Sequence, residues 1–287
     1  MPAKVMLYRF LFGGTPPMCE KDVKFAAISC THVPYQNASA LDVLCESLAK
    51  SRLTDFVMLG DLFESSAVSI HPDGDAHGHT LGDEYEAGAA VLEQIEDALP
   101  ADCRQHWLLG NHDDNIQTSD SRRTDPRVRD LLHWSGSPFA ETFERWIQYP
   151  YTKPSIHDQS GMLLLGQVCF VHGYQAGAGS DNTEAKRMRY ALGGAPHVLV
   201  VRGHTHRPQP VTQCKDSSRP THCWYANCGT FGPIQPHYMK RKDVSEWGAA
   251  VVVGTAKRGR IRRMNRPEWT ARTVSVEQLG NGIGLFE

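Results

Sequence analysis

The chain has 287 residues, 40% of them hydrophobic, and its 30 basic and 32 acidic side chains give a formal net charge of -2. This composition is that of a globular protein and excludes disordered, collagen-like and coiled-coil chains. The near-zero charge provides no bulk attraction to nucleic acid or to an anionic membrane, and no apolar run approaches the roughly 20 residues of a membrane helix. The length predicts a single domain over 1–287 with a core at about 24–270.

Three short apolar runs in the first half each end in a polar cluster and predict strands, at 24–28, 55–59 and 105–109. Between the first two, apolar residues at helical spacing predict a helix that begins at a capping box of Ser39 and Asp42. A second helix is predicted at 84–99. Alternating strands and helices indicate an α/β unit.

The middle of the chain, at 114–160, is the least regular stretch of the sequence. Helical pieces are predicted near 126–133 and 138–147. We interpret this segment as an insert or a lid over the strand ends.

The second half is richer in strands. Apolar runs predict a hairpin around Gly166 and strands at 197–202, 208–213, 222–226 and 248–254, with one helix at about 182–192. We expect these strands to form a mixed sheet that packs against the first half.

Polar side chains of metal-ligand type follow five of the predicted strands. They are Cys30 and His32, Asp61, Asn111 and His112, His172, and His204 and His206. Because strand carboxyl ends meet at one edge of an α/β sheet, we expect these side chains to share a cleft. Thiolate, imidazole and carboxylate groups are common metal ligands, so the cleft is a candidate metal site.

The order and spacing of these motifs resemble those of the calcineurin-like metallophosphoesterases. The motifs are Cys-x-His at 30–32, Gly-Asp at 60–61, Gly-Asn-His-Asp at 110–113, His-Gly at 172–173 and Gly-His-Thr-His at 203–206. Asn-Cys-Gly-Thr at 227–230 is similar to the Asn-Pro-Gly-Ser turn of that family. The resemblance spans residues 24 to 230 and implies a four-layer αββα sandwich, with a helical insert at about 114–160.

The resemblance also implies metal-dependent hydrolysis of a phosphate mono- or diester by a metal-activated water. Asp61 would bridge two divalent ions, with manganese, zinc or iron expected. Cys30, His32 and His206 would complete the first site, and Asn111, His172 and His204 the second. His112 would bind no metal and would stabilise or protonate the leaving oxygen.

Cys30 departs from the family pattern, which has Asp at this position. Three interpretations stay open. The thiolate is a soft ligand that favours zinc or iron over manganese or magnesium; or the first site is weak and one ion acts; or the protein is a catalytically weakened phosphate- or metal-binding protein.

Three further motifs each allow two interpretations. The His- and Asp-rich loop at 71–79 is either solvated or part of the cleft rim. The basic run at 257–266 is either a solvated strand edge or the nucleic-acid-binding segment of a nuclease-like phosphodiesterase. The net charge of the chain disfavours long nucleic acid as a partner. The third motif consists of Cys214, His222, Cys223 and Cys228. These residues either hold a zinc ion or are free thiols beside a histidine.

The eight cysteines form no C-x-x-C pair, and Arg9 interrupts the only stretch that resembles a signal peptide. Free thiols without an export signal predict a cytoplasmic protein. We expect a phosphate-ester substrate and no membrane partner, and the sequence predicts no oligomeric state.

Overall fold

The computed structural model describes residues 22–68, 79–118, 133–177, 179–216, 219–234, 245–257 and 266–286. The strands are β1 (Val23–Ile28), β2 (Asp55–Met58), β3 (Arg104–Leu108), β4 (Ile147–Tyr149), β5 (Leu163–Leu165), β6 (Val168–Phe170), β7 (Val198–Arg202), β8 (Pro208–Asp216), β9 (Arg219–Cys228), β10 (Ala250–Ala256) and β11 (Trp269–Ser275). The helices are α1 (Ala38–Ala49), α2 (Leu81–Ala98), α3 (Asn111–Thr118), α4 (Ala140–Arg145), α5 (Ser180–Ala191) and α6 (Val276–Gly280). Short 3-10 turns lie at Ser66–Val68 and Trp134–Gly136. Within these ranges no helix is both long and apolar enough to cross a bilayer.

The strands form two sheets. The first has the order β11-β10-β1-β2-β3-β4, in which β1 to β4 are parallel and β10 and β11 antiparallel. The second has the order β5-β6-β7-β9-β8 and is mixed, as predicted. The strand predicted at 248–254 was assigned to the wrong sheet, because β10 pairs with β1 rather than with the second-half strands.

Three apolar clusters separate four layers. In β1, Ala26 and Ile28 face the cluster under α1 and α2, while Phe25 and Ala27 face the cluster between the two sheets. A third cluster lies between the second sheet and α5. This alternation along a strand that is buried on both faces produces the predicted αββα sandwich, which the structure confirms.

The first helix does not begin at the predicted capping box. Asn37 caps α1 by accepting the N–H of Ala40 at 3.1 Å, so the predicted capping box of Ser39 and Asp42 is wrong; the Ser39 hydroxyl donates to Asn37 instead. The capping box lies on α2, where Thr80 and Asp83 each accept the other's backbone N–H.

The described part of the 114–160 segment packs into the first core. Trp134, Phe143 and Trp146 are buried in the cluster under α2, and β4 extends the first sheet beside β3. Further along the segment, the ring centre of Tyr151 lies 5.8 Å from that of the predicted ligand His172. The helical piece predicted near 126–133 lies outside the described residues except for its last position.

Candidate metal centre

The predicted ligands lie at one edge of the molecule because the strands that precede them are parallel. Cys30 and His32 follow β1, and Asp61 follows β2; Asn111 begins α3 just after β3. The remaining ligands follow β6 and β7 of the second sheet, and are His172, His204 and His206. Loops from both sheets therefore meet at this edge.

The backbone is strained at this edge. Seven described non-glycine residues have positive φ, and five are predicted ligands: Cys30 (58°), His32 (50°), Asp61 (52°), His204 (68°) and His206 (61°). A left-handed conformation is costly for residues other than glycine and persists where the surrounding structure enforces it, most often at functional sites. The strain supports a functional role for this edge independently of the motifs.

The first group of ligand atoms combines β1 with the loop after β7. Nε2 of His32 lies 3.1 Å from Nε2 of His206 and 3.9 Å from Oδ2 of Asp61. Sγ of Cys30 lies 4.0 Å from the same Asp61 oxygen. All four ligand atoms lie within 4.8 Å of one another.

The second group is centred on His172. Its Nδ1 donates to the carbonyl oxygen of Leu59, which leaves Nε2 for the site. This Nε2 lies 3.2 Å from Oδ2 of Asp61, 3.1 Å from Oδ1 of Asn111 and 3.2 Å from Nδ1 of His204. Asp61 therefore faces both groups through one oxygen atom.

The donor set fits metal ions. Ligand atoms bound to one ion at about 2.0–2.3 Å lie roughly 3–4 Å apart, close to the separations of 3.1 to 4.0 Å given above. Burial, with His172, lowers the pKa of His204 to about 3, and burial, with His32, holds the pKa of His206 well below its usual value. Both imidazoles are therefore neutral, the form that binds metals. Nδ1 of His206 is buried without a hydrogen-bond partner in the described structure.

Asp61 carries the negative charge of the site. Burial opposes its ionisation, but His172 and His112 outweigh burial and hold the pKa of this carboxyl well below its usual value. Cys30 is different, because burial and the Asp61 charge both raise the pKa of its thiol well above the usual value. A thiolate at this position therefore needs a cation beside it.

His112 lies next to the ligands without joining either group. Its Nδ1 is 2.7 Å from the carbonyl oxygen of Glu64, and since a carbonyl only accepts, Nδ1 carries a proton and Nε2 remains free for other contacts. Burial lowers the pKa of His112, but Asp61 and Glu64 outweigh burial, so that the pKa is raised.

Glu64 is a site residue that sequence analysis missed. One of its carboxylate oxygens lies 2.8 Å from Nδ1 of His32, and its ligand-type atoms form a group with His32 and His112. A carboxylate at Nδ1 orients a metal-binding histidine and leaves Nε2 as the ligand atom. The only available signal was an acidic residue three positions after Asp61.

Two buried acids brace the loops of the site. Asp113 accepts the N–H groups of Phe63 at 3.1 Å and Gly110 at 2.9 Å and so connects the loops after β2 and β3. Burial and Asp61 raise the pKa of Asp113 to about 6. The loops are tightly apposed, since a Cβ on Gly110 would lie 2.2 Å from Oδ1 of Asp61.

The second acid, Glu184, was also missed. It lies on α5 and pairs with the fully buried Arg202 at 2.7 Å. Arg202 also donates to the carbonyl oxygen of Gln175 at 2.7 Å, and a Cβ on Gly173 would lie 2.6 Å from the guanidinium. The pair therefore shapes the loop that carries His172.

The turn at 227–230 supports two of the ligand loops. The Asn227 amide donates to the carbonyl oxygen of Gly203 at 3.2 Å and to the Thr205 hydroxyl at 2.8 Å. The Thr230 hydroxyl donates to the carbonyl oxygen of Cys30 at 2.8 Å. These bonds give this motif a structural role beside the ligands.

Two of the remaining sequence motifs fall largely outside the described residues. Residues 71–78 and 258–265 lie outside the described ranges. Cys228 lies in the cluster between the sheets, whereas Cys214 and Cys223 lie in the cluster under α5. These cysteines and His222 therefore form no common zinc site.

The family model for calcineurin-like phosphoesterases matches residues 23–208 of the sequence. The chain belongs to the calcineurin-like phosphoesterase family, and the ligand groups described above form its candidate metal site.

The chain is similar to several solved structures at low identity. Vacuolar protein sorting 29 from Cryptosporidium parvum is 12% identical, with 88% of this chain and 98% of that chain covered and a TM-score of 0.41. The phosphoesterase YfcE from E. coli is 18% identical, with 83% and 92% covered and a TM-score of 0.33. Vps29 from Entamoeba histolytica, in complex with zinc, is 12% identical, with 88% and 99% covered and a TM-score of 0.36. No curated protein matches the sequence significantly.

Proposed function

We propose that the chain is a metallophosphoesterase that hydrolyses a phosphate mono- or diester with two divalent metal ions. The observation that carries this proposal is the position of Asp61, whose Oδ2 faces Cys30 and His32 on one side and His172 on the other. A carboxylate shared by two ligand groups is the arrangement that a dinuclear centre requires.

The two groups divide the ligands. His32, His206 and Cys30 would hold the first ion with Asp61, and Asn111, His172 and His204 would hold the second with the same carboxylate. Such ions supply Lewis acidity toward phosphoryl oxygens and activate water. The thiolate of Cys30 would be a soft ligand, which favours zinc or iron over manganese or magnesium at the first site.

His112 acts on the leaving group. The carbonyl oxygen of Glu64 fixes Nδ1, so that the ring presents Nε2 as its free nitrogen. The charges of Asp61 and Glu64 raise the pKa of the imidazole and so favour its protonated form, which a proton donor to the leaving oxygen requires.

One observation favours a competing proposal, in which the protein binds phosphate or metal with weakened catalysis. Burial and the Asp61 charge raise the pKa of the Cys30 thiol and so favour its neutral form. A neutral thiol is a poor ligand, and the first site would then hold its ion weakly.

Elemental analysis of protein purified without a metal-binding tag separates the two proposals. Two ions per chain, with hydrolysis of p-nitrophenyl phosphate or its bis ester, supports the dinuclear enzyme. Asp61→Asn should then lose both ions, while Asp42→Asn on the exposed face of α1 serves as the matched control. One ion or none, after incubation with manganese, zinc and iron, supports the competing proposal.

A further inference from the structure

A cavity lies at the opposite end of the first sheet from the metal centre. Its volume is about 400 Å³, which is within the usual range for small-molecule sites. The end of α1 and the loop after α6 form its walls. Lys24 on β1 lines this cavity, and Cys30 lies six residues further along the chain, so the two sites are about 20 Å apart.

The polar side of this cavity is cationic. Lys24, Lys50 and Arg52 line it together, and no acidic side chain among the described residues does so. None of the three cations forms an ion pair with a carboxylate in the described part of the chain. Three positive charges with no carboxylate partner among the described residues therefore line one cavity, although the chain as a whole has a net charge of -2.

Apolar side chains line the same cavity. Ile283 and Phe286 are 39% and 38% exposed, and they account for two of the six large apolar side chains exposed in the described structure. The ammonium group of Lys24 lies 5.8 Å from the centre of the Phe286 ring. The wall therefore offers an apolar surface directly beside the cations.

The apolar wall is anchored to the rest of the fold. Leu279 and Leu285 are buried in the cluster under α1 and α2. Arg272 of β11 donates to the carbonyl oxygen of Gly284 at 2.6 Å and fixes the loop between them. The cavity is thus preformed, which reduces the ordering cost of binding.

We propose that this cavity binds a small organic anion, with its phosphate, sulfonate or carboxylate group against Lys50 and Arg52 and a flat apolar body against Phe286. On a purely polar surface, cations without a carboxylate partner would be explained by their contact with water alone. Here the charge borders exposed aromatic and aliphatic side chains, and an amphiphilic anion satisfies both sides of the cavity. The site is independent of the metal centre and of the proposed phosphoesterase activity.

Calorimetry and amide NMR with naphthalene-1-sulfonate test the proposal on the full chain. We expect one site with a Kd of about 1 mM and shifts at the amides of Ser47 and Gly282. Methanesulfonate, which lacks the apolar body, and 1-naphthalenemethanol, which lacks the charge, should each bind more weakly.

Two site variants and one control complete the test. Lys50→Gln with Arg52→Gln should weaken binding about tenfold, and Phe286→Ala should also weaken it. Lys186→Gln with Lys215→Gln removes the same charge from α5 and β8 and should leave binding unchanged. Equal losses in the control, unchanged binding in both site variants, or no binding at about ten times the expected Kd would overturn the proposal. Thermal unfolding of each variant shows whether the fold is intact.

Discussion

The backbone N–H of His112 donates to Oδ1 of Asp61 at 2.9 Å and joins the loops after β2 and β3. This bond directs the other carboxylate oxygen, Oδ2, toward both ligand groups. The orientation of the shared carboxylate is therefore set by the backbone before any ion binds, which is the preorganisation that a metal site needs.

Replacing His112 by alanine separates its backbone role from its side-chain role. His112→Ala keeps the N–H that holds Asp61, so metal content should be unchanged. Turnover of p-nitrophenyl phosphate should fall about 10²–10⁴-fold because the proton donor is lost. His157→Ala on the surface is the control, and equal turnover in the His112 variant would refute its catalytic role.

Restoring a carboxylate at position 30 should change the metal preference. Asp tolerates the left-handed backbone found at Cys30, so Cys30→Asp should fold normally. Elemental analysis after incubation with equal manganese and zinc should show a shift toward manganese. Cys45→Ser, a change at a half-buried thiol outside the site, should cause no shift. The same metal content in both variants would place the Cys30 thiol outside the ligand set.

Glu64→Gln tests the support of His32. Loss of the carboxylate 2.8 Å from Nδ1 should weaken metal affinity about 10–100-fold, because the ring is no longer held with Nε2 toward the site. Titration with chelator-buffered zinc measures the change. Glu86→Gln, on the exposed face of α2, is the matched control. An affinity equal to that of the control would show that Glu64 does not position the histidine.

The ion pair of Glu184 and Arg202 should dominate local stability. Glu184→Ala removes the nearer carboxylate from a fully buried guanidinium, leaves Asp181 at 3.5 Å, and should lower the free energy of unfolding by about 3–5 kcal/mol. Asp216→Ala breaks the exposed pair with Lys186 and should cost less than about 1 kcal/mol. Urea unfolding compares the two variants, and similar losses would contradict this assignment.

Glu84 should make stability depend on pH. Burial raises its pKa from 4.5 to about 7, against the N–H groups of Ser65 and Ser66, which lower it. The folded chain therefore retains a proton that the unfolded chain loses, and this contribution to stability declines as pH rises from about 4.5 to 7, by on the order of 3 kcal/mol.

Urea unfolding at pH 5 and pH 8 measures this decline. Glu84→Gln removes the titrating group and should reduce the difference in unfolding free energy between the two pH values, while Glu86→Gln should preserve it. An unchanged difference in Glu84→Gln would mean that other groups cause the pH dependence.

The strands buried on both faces were predictable because they are continuous apolar runs. The edge strand β11 was missed, since Thr270, Arg272 and Thr273 give it no such run and most of its residues are partly exposed. The partner of β10 was also unpredictable, because an apolar run specifies a strand but not the strand beside it.

The candidate ligands were predictable from local sequence motifs, whereas the buried residues that support the ligand loops were not. Each ligand group follows a predicted strand within a short motif. Glu184 and Arg202, in contrast, come from a helix and a strand that only the folded chain brings together. Their pairing leaves no local pattern in the sequence.

The position of β10 has a consequence for synthesis. Phe25 on β1 pairs with Gly254 on β10, which the ribosome adds about 230 residues later. Until then one edge of β1 has no antiparallel partner, and an open strand edge is a template for aggregation. The segment that matches the family model ends before β10, so cutting the chain there would leave that edge permanently open.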